Sequence, residues 1–289
     1  MTASANPRIV YVNGRYCPIE EAMVPIMDRG FLFGDGIYEV TAVLGGKFID
    51  NVPHLERLGR SLGAIGIRNP HSVAEWTAIQ RELVKRNALT EGSIYIEVTR
   101  GVFEREFTCP PDIEPTVVMF TQARSLRDNP GARSGVAIIT VPDLRWARRD
   151  IKSTALLAQV LAKQAAKAAG VAEAWMIEDG YITEGASSTA FIITEAREIV
   201  TRPLSQAVLP GITRQTVLAL AARHGLTFVE RRFTREEALG AREAFFTSAS
   251  TFAMPVVTID GQPVAGGKAG PLVQELRQLY IDAVDAQPE

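Results

Sequence analysis

The chain has 289 residues, 46% of them hydrophobic, enough to fill two domains of about 100 to 150 residues each. Its 31 Lys and Arg against 33 Asp and Glu leave a formal charge of -2, which gives neither the basic excess of a nucleic-acid binder nor an acidic tail. No apolar run approaches the roughly 18 residues of a membrane helix, and the opening MTASANPRIV lacks the charged and apolar regions of a signal peptide, so a cytoplasmic protein acting on a small molecule is expected.

In chain order the pattern begins with strands. IVYVNGRYCPI reads as two short strands around Asn13-Gly14, a pair suited to a tight hairpin turn. DRGFLFGDGIYEV follows, with glycines at 30, 34 and 36 before a strand from Ile37 to Leu44 in which Tyr38, Val40 and Ala42 share one face. A helix from Pro53 carries Leu55, Leu58, Leu62 and Ile65 as an apolar stripe, with Arg57 off it. Ser72 and Glu75 have the spacing of a capping box for a helix that turns Trp76, Ile79 and Leu83 inward. Strands from Ser93 and Thr116 complete an N-terminal α/β domain over residues 1–124, separated by an Arg-, Gly- and Pro-rich linker at 125–134 from a C-terminal α/β domain over 135–289.

The C-terminal half alternates strands and helices. A strand from Gly135 to Val141 precedes DIKSTALLAQVLAKQAAKAAG, where Leu156, Leu157, Val160 and Leu161 recur at helical spacing and Gly170 closes the helix. This places Lys152 at a strand-to-helix junction with Ser153 as N-cap, where the positive end of the helix dipole favours a neutral amine. AEAWMIE, a strand from Thr189 to Thr194, a helix after LPGITR, a Thr234–Glu237 capping box, EAFFTSAST, PVVTI and a last helix from Pro271 follow.

Chemistry-bearing residues are few. His54, His71 and His224 stand apart, which leaves little for a zinc site or a serine triad, and Cys17 and Cys109 lack metal or redox spacing and read as free thiols of a reducing compartment. What stands out is Lys152, a carboxylate at Glu184 in TEGASSTAF, and LPGITRQTV, whose glycine and following amides open a helix in the manner that receives an anionic phosphate, with Arg57 as a countercharge. An amine for an aldehyde, a carboxylate for a ring nitrogen and a helix start with an arginine for a phosphate are together what pyridoxal 5'-phosphate requires.

The motifs DRGFLFGDGIYEV, PHLERL, DIKSTALL, TEGASS, LPGITR and FFTSAS, in this order, resemble those of the class IV (fold type IV) pyridoxal phosphate aminotransferases, a family that also includes aminodeoxychorismate lyase. The resemblance covers nearly the whole chain. It implies a smaller N-terminal and a larger C-terminal α/β domain with the cofactor at their interface, and a homodimer in which a loop of one subunit reaches the other's pocket. Carried over by position, Lys152 corresponds to the Schiff-base lysine that also moves the substrate's α-proton, Glu184 to the partner of the pyridinium nitrogen, and Arg57 to a phosphate ligand. Ile212 and Thr213 correspond to the phosphate cup, Leu209 to the apolar support under the ring, and Ser188, Ser248 and Ala249 to further cofactor contacts, Ala249 standing where a hydroxyl residue is usual.

On the substrate side the resemblance is closest to D-amino acid transaminases. TRGVFEREF matches their T-R-G-x-x-x-R-x-H run, so Arg105 and Tyr38 correspond to carboxylate-binding residues, while Phe107 stands in place of the histidine. Val40 and Ser250 are the other residues implied in the substrate pocket. Transfer from a D-amino acid such as D-alanine to a 2-oxo acid such as 2-oxoglutarate, by ping-pong kinetics, is the activity implied. A branched-chain or (R)-amine transaminase, or aminodeoxychorismate lyase, stays open beside it.

Overall fold

The structure, a computed structural model, describes residues 7–286. Two compact units divide the chain: one runs up to Ser125 and includes Ile151–Leu156, the other holds Leu126–Asp150 and everything from Leu157 onward.

The first unit contains β1 (Ile9–Val12), β2 (Arg15–Pro18), α1 (Arg29–Phe33), β3 (Gly36–Leu44), β4 (Lys47–Phe48), α2 (Asn51–Ala64), α3 (Val73–Arg86), β5 (Glu91–Thr99) and β6 (Thr116–Ala123). Its six strands form an antiparallel sheet in the order β2-β1-β6-β5-β3-β4. Asn13 and Gly14, both at positive φ, make the first hairpin turn, and Ser72 with Glu75 forms the capping box expected for α3. Alternation along β3 sends Ile37 and Val43 into a core with Leu55, Leu58 and Leu62 of α2 and Trp76 and Leu83 of α3.

The second unit contains α4 (Pro130–Ser134), β7 (Val136–Pro142), α5 (Leu157–Ala168), β8 (Glu173–Glu178), β9 (Tyr181–Gly185), β10 (Thr189–Ile193), β11 (Ile199–Thr201), α6 (Ile212–Arg223), β12 (Phe228–Glu230), α7 (Arg235–Leu239), β13 (Glu243–Ser248), β14 (Phe252–Ile259), β15 (Gln262–Pro263) and α8 (Pro271–Asp285). Its mixed sheet runs β12-β11-β10-β13-β14-β7-β8-β9, with β15 paired to β14. Ile138, Trp175, Ile192, Phe233, Phe246 and Val256 fill its main core. No helix among the described residues is long and apolar enough to cross a membrane.

Three local expectations change. The segment 125–134 is packed rather than a loose linker: α4 is capped by the Asn129 side chain, Leu126 and Ala132 are buried, and Arg277 of α8 donates to the Leu126 carbonyl at 2.5 Å. Leu126 and Ala132 have a core to join, and composition alone does not show that. Helix α5 begins at Leu157, five residues after Lys152, so Ser153 is not its N-cap and the helix dipole does not bear on the lysine. Its buried residues are Ala162 and Ala166, while Leu157, Val160 and Leu161, the apolar residues at helical spacing, are exposed.

A buried charge group lies in the first core. Glu39 occupies a core-facing position of β3, and Arg57 of α2 meets it with two parallel bonds, Nε to Oε1 at 2.7 Å and Nη2 to Oε2 at 2.8 Å. His54, one turn earlier on α2, places Nδ1 2.8 Å from Glu39 Oε2. Burial alone would raise the Glu39 pKa, but the Arg57 charge and the bonds from Arg57 and His54 outweigh it and hold the carboxyl well below its ordinary value. A group depressed in this way contributes stability in full above its unfolded-state pKa and loses it as pH falls through the folded one. Glu39→Gln is therefore expected to cost about 3–5 kcal/mol in urea unfolding at pH 7, because Arg57 is left buried without its carboxylate. The gap to wild type should narrow progressively as pH falls below 4.5, where Glu39 of the unfolded chain takes up a proton that the folded carboxylate resists; a gap that stays constant through the acid range contradicts the assignment.

Candidate active site

Lys152 reaches its place through backbone pairing with the start of β3. The Tyr38 N–H donates to the Lys152 carbonyl at 3.0 Å, Ser153 bridges to Ile37, and the Thr154 N–H donates to the Gly36 carbonyl at 2.9 Å. Thr154 Oγ1 adds a bond to the Gly34 carbonyl at 3.0 Å. The approach is tight: a Cβ on Gly36 would lie 3.2 Å from Thr154 Oγ1 and 3.1 Å from the Val98 carbonyl oxygen, and one on Gly34 would meet Ala155 at 3.3 Å. The glycines of FGDG thus make room for the strand-like segment that carries the lysine.

From this backbone the Lys152 amine extends over the ring of Tyr38, with Nζ 4.1 Å from the centroid. Tyr38 lies on the face of β3 opposite Glu39, together with Val40, as expected from alternation, and stacks on Tyr95 of β5 at 5.6 Å. Tyr95 in turn donates its hydroxyl to Glu97 at 2.7 Å. Burial raises both groups: the Tyr95 phenol is pushed up by burial and then by the Glu97 charge, and the Glu97 carboxyl is pushed up by burial against the opposing pull of the Tyr95 bond.

Arg105 and Phe107 lie against α1 in the same unit. The Arg105 guanidinium is 5.5 Å from the ring centroid of Phe33, and the Phe107 ring is 5.7 Å from the same ring, with Phe107 itself 86% exposed. The structure therefore groups Lys152 with Tyr38 and Val40, and Arg105 with Phe107 around α1.

In the second unit Glu184 is buried on β9 and held by a guanidinium the sequence reading did not single out. Arg145 Nη1 donates to Glu184 Oε1, and the backbone N–H of Leu209 donates to both carboxylate oxygens, at 3.1 and 3.3 Å. Arg145 is itself fixed by Asp143, through Nε at 2.9 Å and Nη2 at 2.7 Å, and Asp143 also accepts the Thr183 hydroxyl at 2.7 Å. Burial pushes the Glu184 pKa up, opposed by the Arg145 charge and bond and by the Leu209 amide. Asp143, which Arg145 serves more fully, is held below its ordinary value despite burial. Two carboxylates thus share the Arg145 charge, and a further cation at Glu184, such as a protonated ring nitrogen, would suit the group.

The helix start of LPGITR forms a second receptive feature. Gly211 is the N-cap of α6 with no side-chain capping bond, and Ile212 and Thr213 follow it, both buried. A Cβ on Gly211 would lie 2.8 Å from Thr189 Oγ1, and the cross-strand partner of Thr189 is Thr247, whose buried hydroxyl has no hydrogen-bond partner. An uncapped helix start and an orphaned hydroxyl beside one threonine pair fit an incoming phosphate. Ser248 bonds to Thr251 at 2.7 Å in the turn that contains Ala249, with Ser250 at 3.5 Å. Ser188 donates to Glu173 at 3.0 Å, and Lys163 Nζ sits 2.8 Å from that carboxylate.

Asp143 and Arg145 were visible only as part of DLRWARRD, where nothing in the spacing says which of three arginines meets Glu184. Glu39 did carry a signal: a carboxylate at a core-facing strand position needs a buried cation, and Arg57 was within reach on the next helix.

Comparison with known proteins agrees with this chemistry. The family model for amino-transferase class IV matches residues 36–259. D-alanine aminotransferase of Staphylococcus aureus (strain COL) is 39% identical over 96% of this chain and 98% of its own, and that of Bacillus licheniformis is 38% identical over 95% and 96%. Among solved structures, the branched-chain aminotransferase of Thermoproteus uzoniensis with norvaline superposes with a TM-score of 0.83 at 27% identity, covering 96% of this chain and 94% of that one. The Escherichia coli branched-chain amino acid aminotransferase shares the fold, with a TM-score of 0.88 at 22% identity over 96% and 94%. By sequence and fold alike, this chain belongs to the class IV aminotransferases, which depend on pyridoxal 5'-phosphate.

Proposed function

We propose that this protein is a D-amino acid transaminase, moving the amino group of a D-amino acid such as D-alanine to a 2-oxo acid such as 2-oxoglutarate in two half-reactions. The observation that carries the reading is that one stretch, DLRWARRDIKS, supplies both the amine set over Tyr38 and the guanidinium that orients Glu184. Likeness to D-alanine aminotransferases over nearly the whole chain supports the choice of donor.

On this reading Lys152 holds the cofactor through its ε-amine, Glu184 faces the ring nitrogen, and Ile212, Thr213 and the Thr247 hydroxyl receive the phosphate. Arg57 serves as countercharge, locked in orientation by Glu39. Leu209 is the support under the ring, and its N–H steadies Glu184. Ser188, Ser248 and Ala249 complete the cofactor's surroundings, and Val40 and Ser250 the substrate's. Pyridoxal phosphate, when bound, supplies an electron sink for the charge left when the substrate's α-proton departs. Lys152 Nζ would take that proton and later return it. Glu184, whose ionised form Arg145 and the Leu209 amide favour against burial, would stand at the ring nitrogen and favour its protonated state. Arg105 binds the substrate carboxylate, a charge-assisted contact of about 1.5–3 kcal/mol.

The enzyme is proposed as a cytoplasmic homodimer, in keeping with Cys17 and Cys109 as free thiols. On this reading the loop that carries Arg105 serves the partner's pocket. The branched-chain reading is favoured by the Thermoproteus uzoniensis likeness and is separated by donor.

Borohydride reduction of the holoenzyme followed by peptide mapping is expected to leave a pyridoxyl label on Lys152; a label elsewhere refutes the site. D-alanine with 2-oxoglutarate should give pyruvate and glutamate, with L-leucine turned over far more slowly; the reverse order selects the branched-chain reading. Pyruvate from aminodeoxychorismate without an amino acceptor would select the lyase, and turnover of (R)-1-phenylethylamine the amine transaminase. Arg105→Ala should raise the D-alanine KM by about tenfold to a hundredfold, the loss of one charged contact. Co-expressing Arg105→Ala with Lys152→Ala chains should restore part of the activity in the mixed dimer, because one of its two pockets then has both residues; no restoration argues that Arg105 acts within its own chain.

A further inference from the structure

Resting on the reading of Arg105 given above, we infer that Arg29 is a positioning residue that clamps the loop carrying Arg105 and so sets where the substrate carboxylate is met. The loop has little order of its own. Between Gly101 and Thr116 its regular pairing is a bridge from Val102 to Asp28, supported by the Phe103 N–H on the Met27 carbonyl at 3.3 Å. Beyond that, the Glu106 N–H folds back onto the Glu104 carbonyl at 2.7 Å, a γ-turn with Arg105 at its apex.

The carbonyls just after that apex are where Arg29 acts. Its guanidinium is nearly buried, and three of its nitrogens are engaged: Nη1 donates to the Glu106 carbonyl at 2.6 Å, Nη2 to the Phe107 carbonyl at 3.2 Å, and Nε to Asp35 at 2.9 Å. The flat fork of arginine can reach two successive carbonyls and a carboxylate at once, which a lysine cannot. Phe33, one turn along α1, is faced by the Arg29 guanidinium at 4.9 Å and by Arg105 at 5.5 Å, so the helix supplies both the clamp and the surface on which Arg105 lies. Asp35 is anchored independently, since Arg100 donates to it at 2.7 and 3.0 Å while holding the Ile65 and Gly66 carbonyls.

That independence separates a clamp from a plain ion pair. Arg29→Lys keeps the charge beside Asp35 but loses the fork, so a residue that only neutralised Asp35 would tolerate it. Arg29→Met removes every contact yet leaves Asp35 paired with Arg100, and serves as the second variant if the lysine form fails to fold. Each holoenzyme would be followed by hydrogen exchange of peptides over residues 101–110 and by steady-state kinetics with D-alanine. We expect amide exchange in that segment to quicken about tenfold or more while peptides from β5 and β6 are unchanged, and the D-alanine KM to rise about tenfold with kcat within about twofold, as loss of two charged-donor bonds implies. Unchanged exchange in 101–110 overturns the inference, as does faster exchange with an unchanged KM when Arg105→Ala itself raises KM. If Arg105→Ala leaves KM untouched, the carboxylate reading fails first and this inference fails with it, and the exchange data then show whether the clamp exists without that purpose.

Discussion

Everything proposed for this chain depends on a short stretch of backbone pairing, Lys152–Thr154 laid along the start of β3. A lysine side chain has enough rotatable bonds that its own contacts fix it poorly. The peptide bonds on either side do the fixing instead. With the Tyr38 amide on the Lys152 carbonyl and the Thr154 amide on the Gly36 carbonyl, the α-carbon of Lys152 is registered against the strand that also presents Tyr38. The glycines at 34 and 36 matter because the two backbones approach so closely there. A change at either glycine would act on the lysine through its backbone without touching its side chain.

Three buried arginines carry the rest of the arrangement, and they differ in what their carboxylates do. Arg57 meets Glu39 with two bonds matched to two oxygens, beside His54, and so fixes a helix against a strand. Arg29 spends one nitrogen on Asp35 and two on loop carbonyls. Arg145 is divided between Asp143 and Glu184, and Glu184 ends with its carboxyl raised by burial where Asp143 is lowered. Buried ion pairs stabilise little on balance against desolvation, so their number here says less about stability than about orientation. The one left short of positive charge, Glu184, is the one whose proposed partner is a cation from outside the chain.

Much of this was legible in the sequence where local chemistry decides the outcome. The Asn13-Gly14 turn, the Ser72 and Thr234 capping boxes, the Gly170 stop and the stripe of Leu55, Leu58 and Leu62 depend on neighbours within a few residues. The reading slipped where the outcome depends on what packs from afar. STALL has helical spacing, but pairing with β3 extends the chain at Lys152–Thr154 and α5 starts only at Leu157, with its leucines outward and its alanines against β8. Arg145 could not be told from Arg148 and Arg149 by spacing: Arg148 turns to Asp150 and Arg149 to Glu178, a sorting set by where β8 and β9 end.

Phe107 shows how a departure from family pattern can be absorbed. A histidine at that position could donate to a carboxylate, and a phenylalanine cannot. Here the ring instead joins Phe33, and the Phe107 backbone carbonyl accepts from Arg29. The ring adds a contact between the turn at Arg105 and α1, beside the carbonyl bond that any residue there could accept. A carboxylate met by fewer donors is bound well only if the remaining donor is held still, because each rotamer frozen on binding costs about 0.5–1.5 kcal/mol. On the proposed reading, the γ-turn, the fork of Arg29 and the ring of Phe33 would meet that cost during folding, and the loop would come to its substrate already arranged.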